Sequence, residues 1–261
     1  MITSPDNSRI KEVVKLRDKK KARDNSGLFI AEGLKIVQEA PEEAVQCVYC
    51  TGDVYEENPG LAERFENRLE TVSSGVFAKM CDTETPQGIL AVIKKRMLSA
   101  DGIVNDEKQT PFILFLEDIR DPGNLGTIVR MSEAAGVTGV IMSKGTADIY
   151  NPKTVRSTMG SVYRVPFAYT QDFQATLSLA KNKGIKLFAA MPGGEKNCWE
   201  QDYKKACAFL IGNEAVGLTP ETSAMADEKI LIPMSGKVES LNAAIATSVL
   251  CFEAARQRRQ E

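Results

Sequence analysis

The sequence predicts an α/β protein of two domains, the second built on a parallel sheet covered on both faces. Three observations predict it. Short apolar runs alternate with helical segments along the whole chain. The runs of the C-terminal part (FILFLE, TGVIMS, IKLFAA, CAFLIG, EKILIP) are apolar at consecutive positions, as strands buried on both faces are. Between the two parts, RMLSADGIVNDEKQTP brings acids, a Gly and a Pro without apolar periodicity, which marks a linker. The expected division is 1–97, a linker over 98–110, and 111–261.

In the first domain, Ile10, Val13, Val14 and Leu16 stand among charges over residues 7–22, the pattern of a short amphipathic helix capped by Asn or Ser. LFIAEG then reads as a strand, LKIVQEA as a helix, AVQCVYC as a strand and LAERFENRL as a helix. A helix near SGVFAKM precedes the strand GILAVIK. In the second domain the pattern restarts with a strand over 112–117 and a helix over 125–135. TGVIMS, a helix near PKTVRSTMG and a short VYRVPF element follow. Strands IKLFAA, CAFLIG and EKILIP come next, and a long helix runs from about Leu241 to Gln260.

Composition narrows the chemistry. The 261 residues are 43% apolar and 26% charged, with no apolar run near the ~18–20 residues of a membrane span. The N-terminus carries charge without an apolar core, so no secretory signal is expected and cytoplasm is the default. Histidine is absent, which removes Ser-His-Asp hydrolysis, His-ligated metals and imidazole acid–base catalysis. Cys47, Cys50, Cys81, Cys198, Cys207 and Cys251 lie in apolar contexts and read as reduced, buried thiols. The CxxC pair 47/50 falls in a strand, where that spacing puts the two on opposite faces. Residues 1–23 hold eight basic side chains against three acids. A solvated helix face and a phosphate-contacting patch both fit that run.

Three strand-to-loop junctions carry the residues suited to a site, because parallel sheets bind ligands at the carboxyl ends of their strands. The first, DIRDPGNLGTIVR, offers Gly123 and Gly126 for close approach, Asn124 as donor and acceptor, and Arg130 further along the helix. Without a Lys-Ser/Thr or a GxGxxG it is neither a Walker A loop nor a dinucleotide fingerprint. The second, AFLIGNEAVGLTP, ends a buried strand in Gly212, Asn213 and Glu214. An acid there is either paired or part of a helix start. The third, ILIPMSGKVESLNAAIATSVL, leaves a strand at Pro233 and opens a helix of small residues through Ser240-Leu241-Asn242. Ser240 there is either a cap or a ligand contact.

NLGTIVR, LIGNEAVGLT and IPMSGKVESLNAAIATSVLCFEAAR, in that order, resemble the three motifs of the SpoU/TrmH family of RNA ribose 2′-O-methyltransferases, of the SPOUT class. The resemblance covers residues 111–261. The N-terminal block, with GLFIAEGLKIVQEA and TPQGILAVIKK, resembles the family's substrate-binding domain, similar in fold to ribosomal kink-turn-binding proteins. It implies a parallel-sheet methyltransferase domain with a C-terminal trefoil knot, preceded by a small α/β RNA-binding domain. The implied cofactor is S-adenosylmethionine, held largely by backbone groups of Gly212, Ile232 and Leu241 with Asn213, Met234 and Gly236 nearby.

The resemblance assigns catalysis to Asn124, Arg130, Glu214, Ser240 and Asn242. Asn124 and Asn242 orient the acceptor, and Glu214 has a structural or charge-pairing role. Arg130 serves either as the base that the family is proposed to use or as a phosphate contact, since a guanidinium keeps its proton above pH ~12. Ala215 and Met131 stand where the family often has Gly and a small hydroxyl residue. Arg9, Lys11, Lys19, Lys20, Lys21, Lys153 and Arg156 become the RNA contacts. The implied partners are RNA, ribosomal before transfer RNA, and a second copy of the chain through the methyltransferase domain, with no membrane and no metal. A transfer-RNA enzyme, or an RNA-binding protein that keeps the fold without transferring methyl, is the alternative.

Overall fold

The computed structural model describes residues 1–259. In chain order the elements begin with α1 (Ser8–Asp18), α2 (Lys20–Ser26), β1 (Leu28–Glu32), α3 (Leu34–Glu39), β2 (Val45–Cys50), α4 (Gly52–Glu57) and α5 (Gly60–Phe65). They continue with β3 (Leu69–Thr71), α6 (Ser74–Met80), β4 (Ile89–Lys94), α7 (Ala100–Val104), β5 (Phe112–Leu116), α8 (Pro122–Ala135) and β6 (Gly139–Met142). The remainder is α9 (Pro152–Thr158), β7 (Phe167–Tyr169), α10 (Phe173–Asn182), β8 (Lys186–Ala190), β9 (Lys196–Asn197), β10 (Cys207–Ile211), α11 (Pro220–Met225), β11 (Glu228–Leu231) and α12 (Ala243–Arg258). The expected end of the last helix, Gln260, lies outside the described residues.

The chain forms two compact units, one of residues 1–96 with 148–163, the other of 97–147 with 164–261. The first holds a four-stranded sheet in the order β1-β4-β2-β3, with β4 antiparallel to β1 and β2, and β2 parallel to β3. Ile10, Val13 and Leu16 of α1 and Phe77 and Met80 of α6 pack in one core with Ile30 and Val92. The single helix expected over 7–22 is two: Lys19 is extended (φ −121°, ψ 111°) and α2 restarts after it. Arg23 explains the break. Its buried guanidinium donates from Nη1 to the Leu16 and Arg17 carbonyls (2.6 and 3.0 Å), which the end of α1 leaves without helical partners.

The second unit holds seven strands in the order β7-β6-β5-β10-β8-β11-β9, every pairing parallel, as the unbroken apolar runs predict. All five residues of β5 and of β10 are buried, each large apolar side chain contributing about 1.5–3 kcal/mol by leaving water. The connections run outward from β5 through β6 to β7, then return so that β10 pairs with β5 on its other side. The loops leaving β5 and β10 therefore emerge side by side at a topological switch point.

Two boundaries differ from expectation. Residues 100–104 of the supposed linker form a helix, capped by Ser99, whose Ala100, Ile103 and Val104 enter the second unit's core. Residues 148–163, expected in the second domain, belong to the first unit. There Asp148 pairs with Arg23 (2.7 Å) and the Tyr150 ring lies 4.6 Å from that of Phe29. Helix α10, begun by an Asp172 cap on Ala175 N (2.9 Å), has no counterpart in the sequence reading.

Candidate active site

Loop one leaves β5 and enters α8 earlier than expected. Asp121 caps the helix, its Oδ1 accepting from Asn124 N at 2.7 Å, and Pro122 occupies the first helical position, where a missing N–H costs nothing. Gly123, Asn124 and Gly126 are thus helical, and neither glycine has a left-handed backbone. Asn124 projects from the first turn.

Loop two follows β10. Asn213 and Gly217 close a tight turn with two backbone bonds (3.1 and 2.9 Å), and Gly217 is left-handed at φ +74°. A Cβ on Gly212 would lie 2.2 Å from the carbonyl carbon of Gly217 and from Leu218 N, so only glycine fits where the turn folds back. Asn213 braces the turn, accepting at Oδ1 from Ala215 N (2.9 Å) and Val216 N (3.2 Å) and donating from Nδ2 to the Asp118 carbonyl (2.8 Å).

Loop three follows β11 and ends at Asn242. This residue, not Ser240, caps α12, with Oδ1 accepting from Ala244 N (2.9 Å) and Ile245 N (3.3 Å). Behind it the small residues Ala243, Ala244, Thr247 and Ala254 are buried and α12 packs on α8, which accounts for the AAIATSV run.

A hydrogen-bonded chain crosses the three loops. Asn242 Nδ2 donates to Asn124 Oδ1 (3.1 Å), and Asn124 Nδ2 donates to Glu214 Oε1 (2.9 Å). The Arg120 backbone N–H approaches Glu214 Oε2 at 3.4 Å. The structure thus brings Asn124, Glu214 and Asn242 together.

Loops two and three also enclose a cavity of about 300 Å³. Of the residues expected at a cofactor, Gly212, Asn213, Ile232, Met234 and Leu241 line it, and so do Ser240 and Glu214. Gly236 does not. The sequence reading missed Met191 and Pro192 after β8, and Glu239. The first two carry no polar signal; Glu239, next to Ser240 in the third motif, offered one.

Arg130 stands apart. It lies six residues after Asn124, about 9 Å further along the helix and on a different face. It is exposed and makes no hydrogen bond or ion pair with the described residues. In the first unit, Lys19, Lys20 and Lys21 are exposed where α1 meets α2, and Lys153 is exposed on α9. Arg9 pairs with Glu70, and Lys11 with Asp6 at 2.9 Å. Arg156, half-buried, lies between buried Glu32 (3.6 Å) and exposed Asp82 (3.9 Å). The thiols are unsuited to chemistry: burial pushes Cys50 and Cys198 up to about 11. Among the described residues no group of His, Cys, Asp and Glu is arranged to hold a metal, and no helix is long and apolar enough to cross a membrane.

Residues 111–252, which contain all three loops, match the SpoU rRNA Methylase family. The chain belongs to that family. Residues 7–91 match the MRM3-like substrate binding domain. A SpoU-family relative in Bacillus subtilis, the 23S rRNA (guanosine(2553)-2′-O)-methyltransferase RlmP, is 30% identical over 96% of this chain and 97% of its own. An uncharacterized tRNA/rRNA methyltransferase of Synechocystis is 32% identical over 98% of this chain and 94% of its own. Among solved structures, the AdoMet-bound rRNA methyltransferase of Sinorhizobium meliloti superposes with a TM-score of 0.84 at 31% identity, covering 98% of this chain and 97% of that one. The SpoU methyltransferase AviRb of Streptomyces viridochromogenes, also in complex with AdoMet, gives 0.86 at 25% identity over 98% and 100%.

Proposed function

We propose that this protein transfers the methyl group of S-adenosylmethionine to a ribose 2′-hydroxyl of ribosomal RNA. The observation that carries this reading is that Glu214 belongs both to the lining of the cavity of loops two and three and to the hydrogen-bonded chain Asn242–Asn124–Glu214. The cavity suits the cofactor: its volume falls at the lower end of small-molecule sites. Ile232, Met234 and Leu241 offer apolar surface for an adenine, while the glycine-containing turn presents backbone groups for polar recognition. S-adenosylmethionine supplies, when bound, an electrophilic methyl group with a neutral leaving group.

The chain's own part is to position the acceptor. Asn124, gripped by Glu214 on one side and Asn242 on the other, keeps one N–H and one lone pair for the ribose, in a geometry set before RNA arrives. Glu214 orients that amide. Arg130 binds the phosphate or ribose of the acceptor from outside this preassembled group. Its isolation within one chain fits a second copy: Ile245 and Phe252, seven residues apart on α12, are 55% and 47% exposed, an apolar stripe suited to a homodimer interface. Ribosomal RNA is favoured over transfer RNA because the relatives spanning the whole chain include named 23S rRNA enzymes. Free, mostly buried thiols and an RNA substrate support a cytoplasmic setting.

The test is tritiated methyl transfer from S-adenosylmethionine to unmodified ribosomal and transfer RNA pools, followed by nucleoside analysis. A labelled 2′-O-methyl nucleoside in ribosomal RNA is expected. Label in transfer RNA alone would redirect the substrate, and label on a base would overturn the reaction. Sedimentation equilibrium of the purified protein tests the dimer.

A further inference from the structure

We infer that Glu117, which touches neither the cavity nor the expected acceptor, is a positioning residue that sets the affinity for the cofactor. It follows β5 directly and is 7% exposed, yet no cation among the described residues pairs with it. A buried carboxylate without a counter-ion is costly unless strong donors surround it. Here three do, all from the far end of loop two. Thr219 N donates to Oε2 (2.8 Å), and the hydroxyls of Thr219 and Thr222 donate to Oε1 (2.9 and 2.6 Å).

These bonds complete a two-point attachment of loop two. At its start, Asn213 Nδ2 is held by the carbonyl of Asp118. Asp118 is itself left-handed (φ +55°) and fixed by Ser143, whose Oγ accepts from Asp118 N (2.9 Å) and donates to Oδ1 (2.7 Å). At its end, Glu117 fixes Thr219, which also starts α11. Between the two anchors lie Glu214 to Gly217, which line the cavity together with Gly212 and Asn213. Adjacent residues of β5's exit thus grip both ends of the wall. Gly217 is left-handed and follows three exposed residues; the bonds through Asn213 fix the local shape of the turn, and Glu117 ties its outgoing end to the exit of β5. The carboxylate is therefore needed for the shape of the cofactor wall more than for the sheet, whose core lies below it.

The inference rests on the cofactor reading above. The experiment is calorimetric titration of S-adenosylmethionine into the full-length protein, its Glu117→Gln variant and its Thr222→Val variant, with steady-state methyl transfer and apo-protein melting on each. Glu117→Gln turns one acceptor into a donor facing donors, and Thr222→Val removes one hydroxyl at nearly constant shape. For Glu117→Gln the expected loss of cofactor affinity is about ten- to a hundredfold, with KM for the cofactor rising in parallel and kcat at saturating cofactor within about threefold. Thr222→Val, which tests the same contact if the first variant fails to fold, shows a smaller loss of the same kind. No binding to the unaltered protein would sink the cofactor reading itself. Binding to the unaltered protein with undiminished affinity in a folded variant would sink only the inference, as would a fall in kcat with KM unchanged or a lowered melting temperature without a change in affinity.

Discussion

Asn124 and Arg130 sit on one helix, six residues apart, in opposite circumstances. The first is bonded on both sides by residues brought from two other loops, while the second extends into solvent with no partner among the described residues. The difference divides the site into a half the chain assembles alone and a half it only offers. The assembled half costs its ordering entropy at folding, so little is spent when cofactor arrives. On the function proposed above, the offered half is ordered by RNA or a second chain, so its energy would appear only in the productive complex, where it favours the transition state.

The largest expected effect comes from removing the offered half. Arg130→Ala should leave cofactor affinity within about twofold and lower methyl transfer by about a thousandfold or more, the scale seen when a charged stabilising group is lost from a site. Calorimetry and single-turnover transfer on the same preparation check it. If cofactor affinity falls instead and transfer survives at saturating cofactor, Arg130 belongs to the assembled half and the division is wrong.

Next in size is Gly212→Ala. Its Cβ would meet the Gly217–Leu218 peptide at 2.2 Å, so the turn must move off the cavity. The backbone there cannot yield as a flexible side chain would. Cofactor binding should weaken by at least about a hundredfold while RNA retention on a filter, expected to draw on the first unit's exposed lysines, persists. Equal loss of both would mean that the variant has unfolded, which circular dichroism would reveal.

How much of this was legible beforehand follows from where the physical signal lies. The parallel sheet was, because strands buried on both faces must be apolar at consecutive positions, and FILFL and CAFLI are. The start of α8 was misplaced by three residues although Asp121-Pro122 is a strong cap-and-first-turn signal; the two glycines drew attention to a loop instead. Helix α7 hid in ADGIV, too short for periodicity to outweigh the surrounding acids, and α10 in a segment of Gln, Ala, Thr and Ser. Asn124, Glu214 and Asn242 were read together from motif order, but that Asn242 rather than Ser240 caps α12 needs coordinates, since both suit the position. Met191 and Pro192 enter the cavity because β8 neighbours β10 and β11. No local pattern encodes that neighbourhood.

A smaller effect should follow Asn242→Ala, which breaks the link between loops one and three and uncaps α12. Loss of the cap costs about 1 kcal/mol of stability. Turnover should fall about ten- to a hundredfold as Asn124 loses one of its two holders, with the cavity and cofactor affinity changed less. Thermal unfolding and transfer assays separate the two consequences. Turnover that falls no further than the folded fraction would show that Asn242 is a cap and nothing more.

The smallest effect is expected at Glu133, one turn beyond Arg130 and likewise exposed on α8. It differs from Arg130 in having a partner: it forms an ion pair with Arg164 whose side chains are 45% and 35% exposed. Such surface pairs contribute ~0.2–1 kcal/mol, because water screens them and two long side chains must be held still. Glu133→Gln should therefore shift stability by less than about 1 kcal/mol and leave methyl transfer within about twofold. If Glu133→Gln proves as damaging as Arg130→Ala, the working unit is this whole face of α8, and Arg130 matters as part of a contact surface. If it is silent while Arg130→Ala is not, exposure on α8 is not what matters, and the requirement is for one unpaired guanidinium two turns from Asn124.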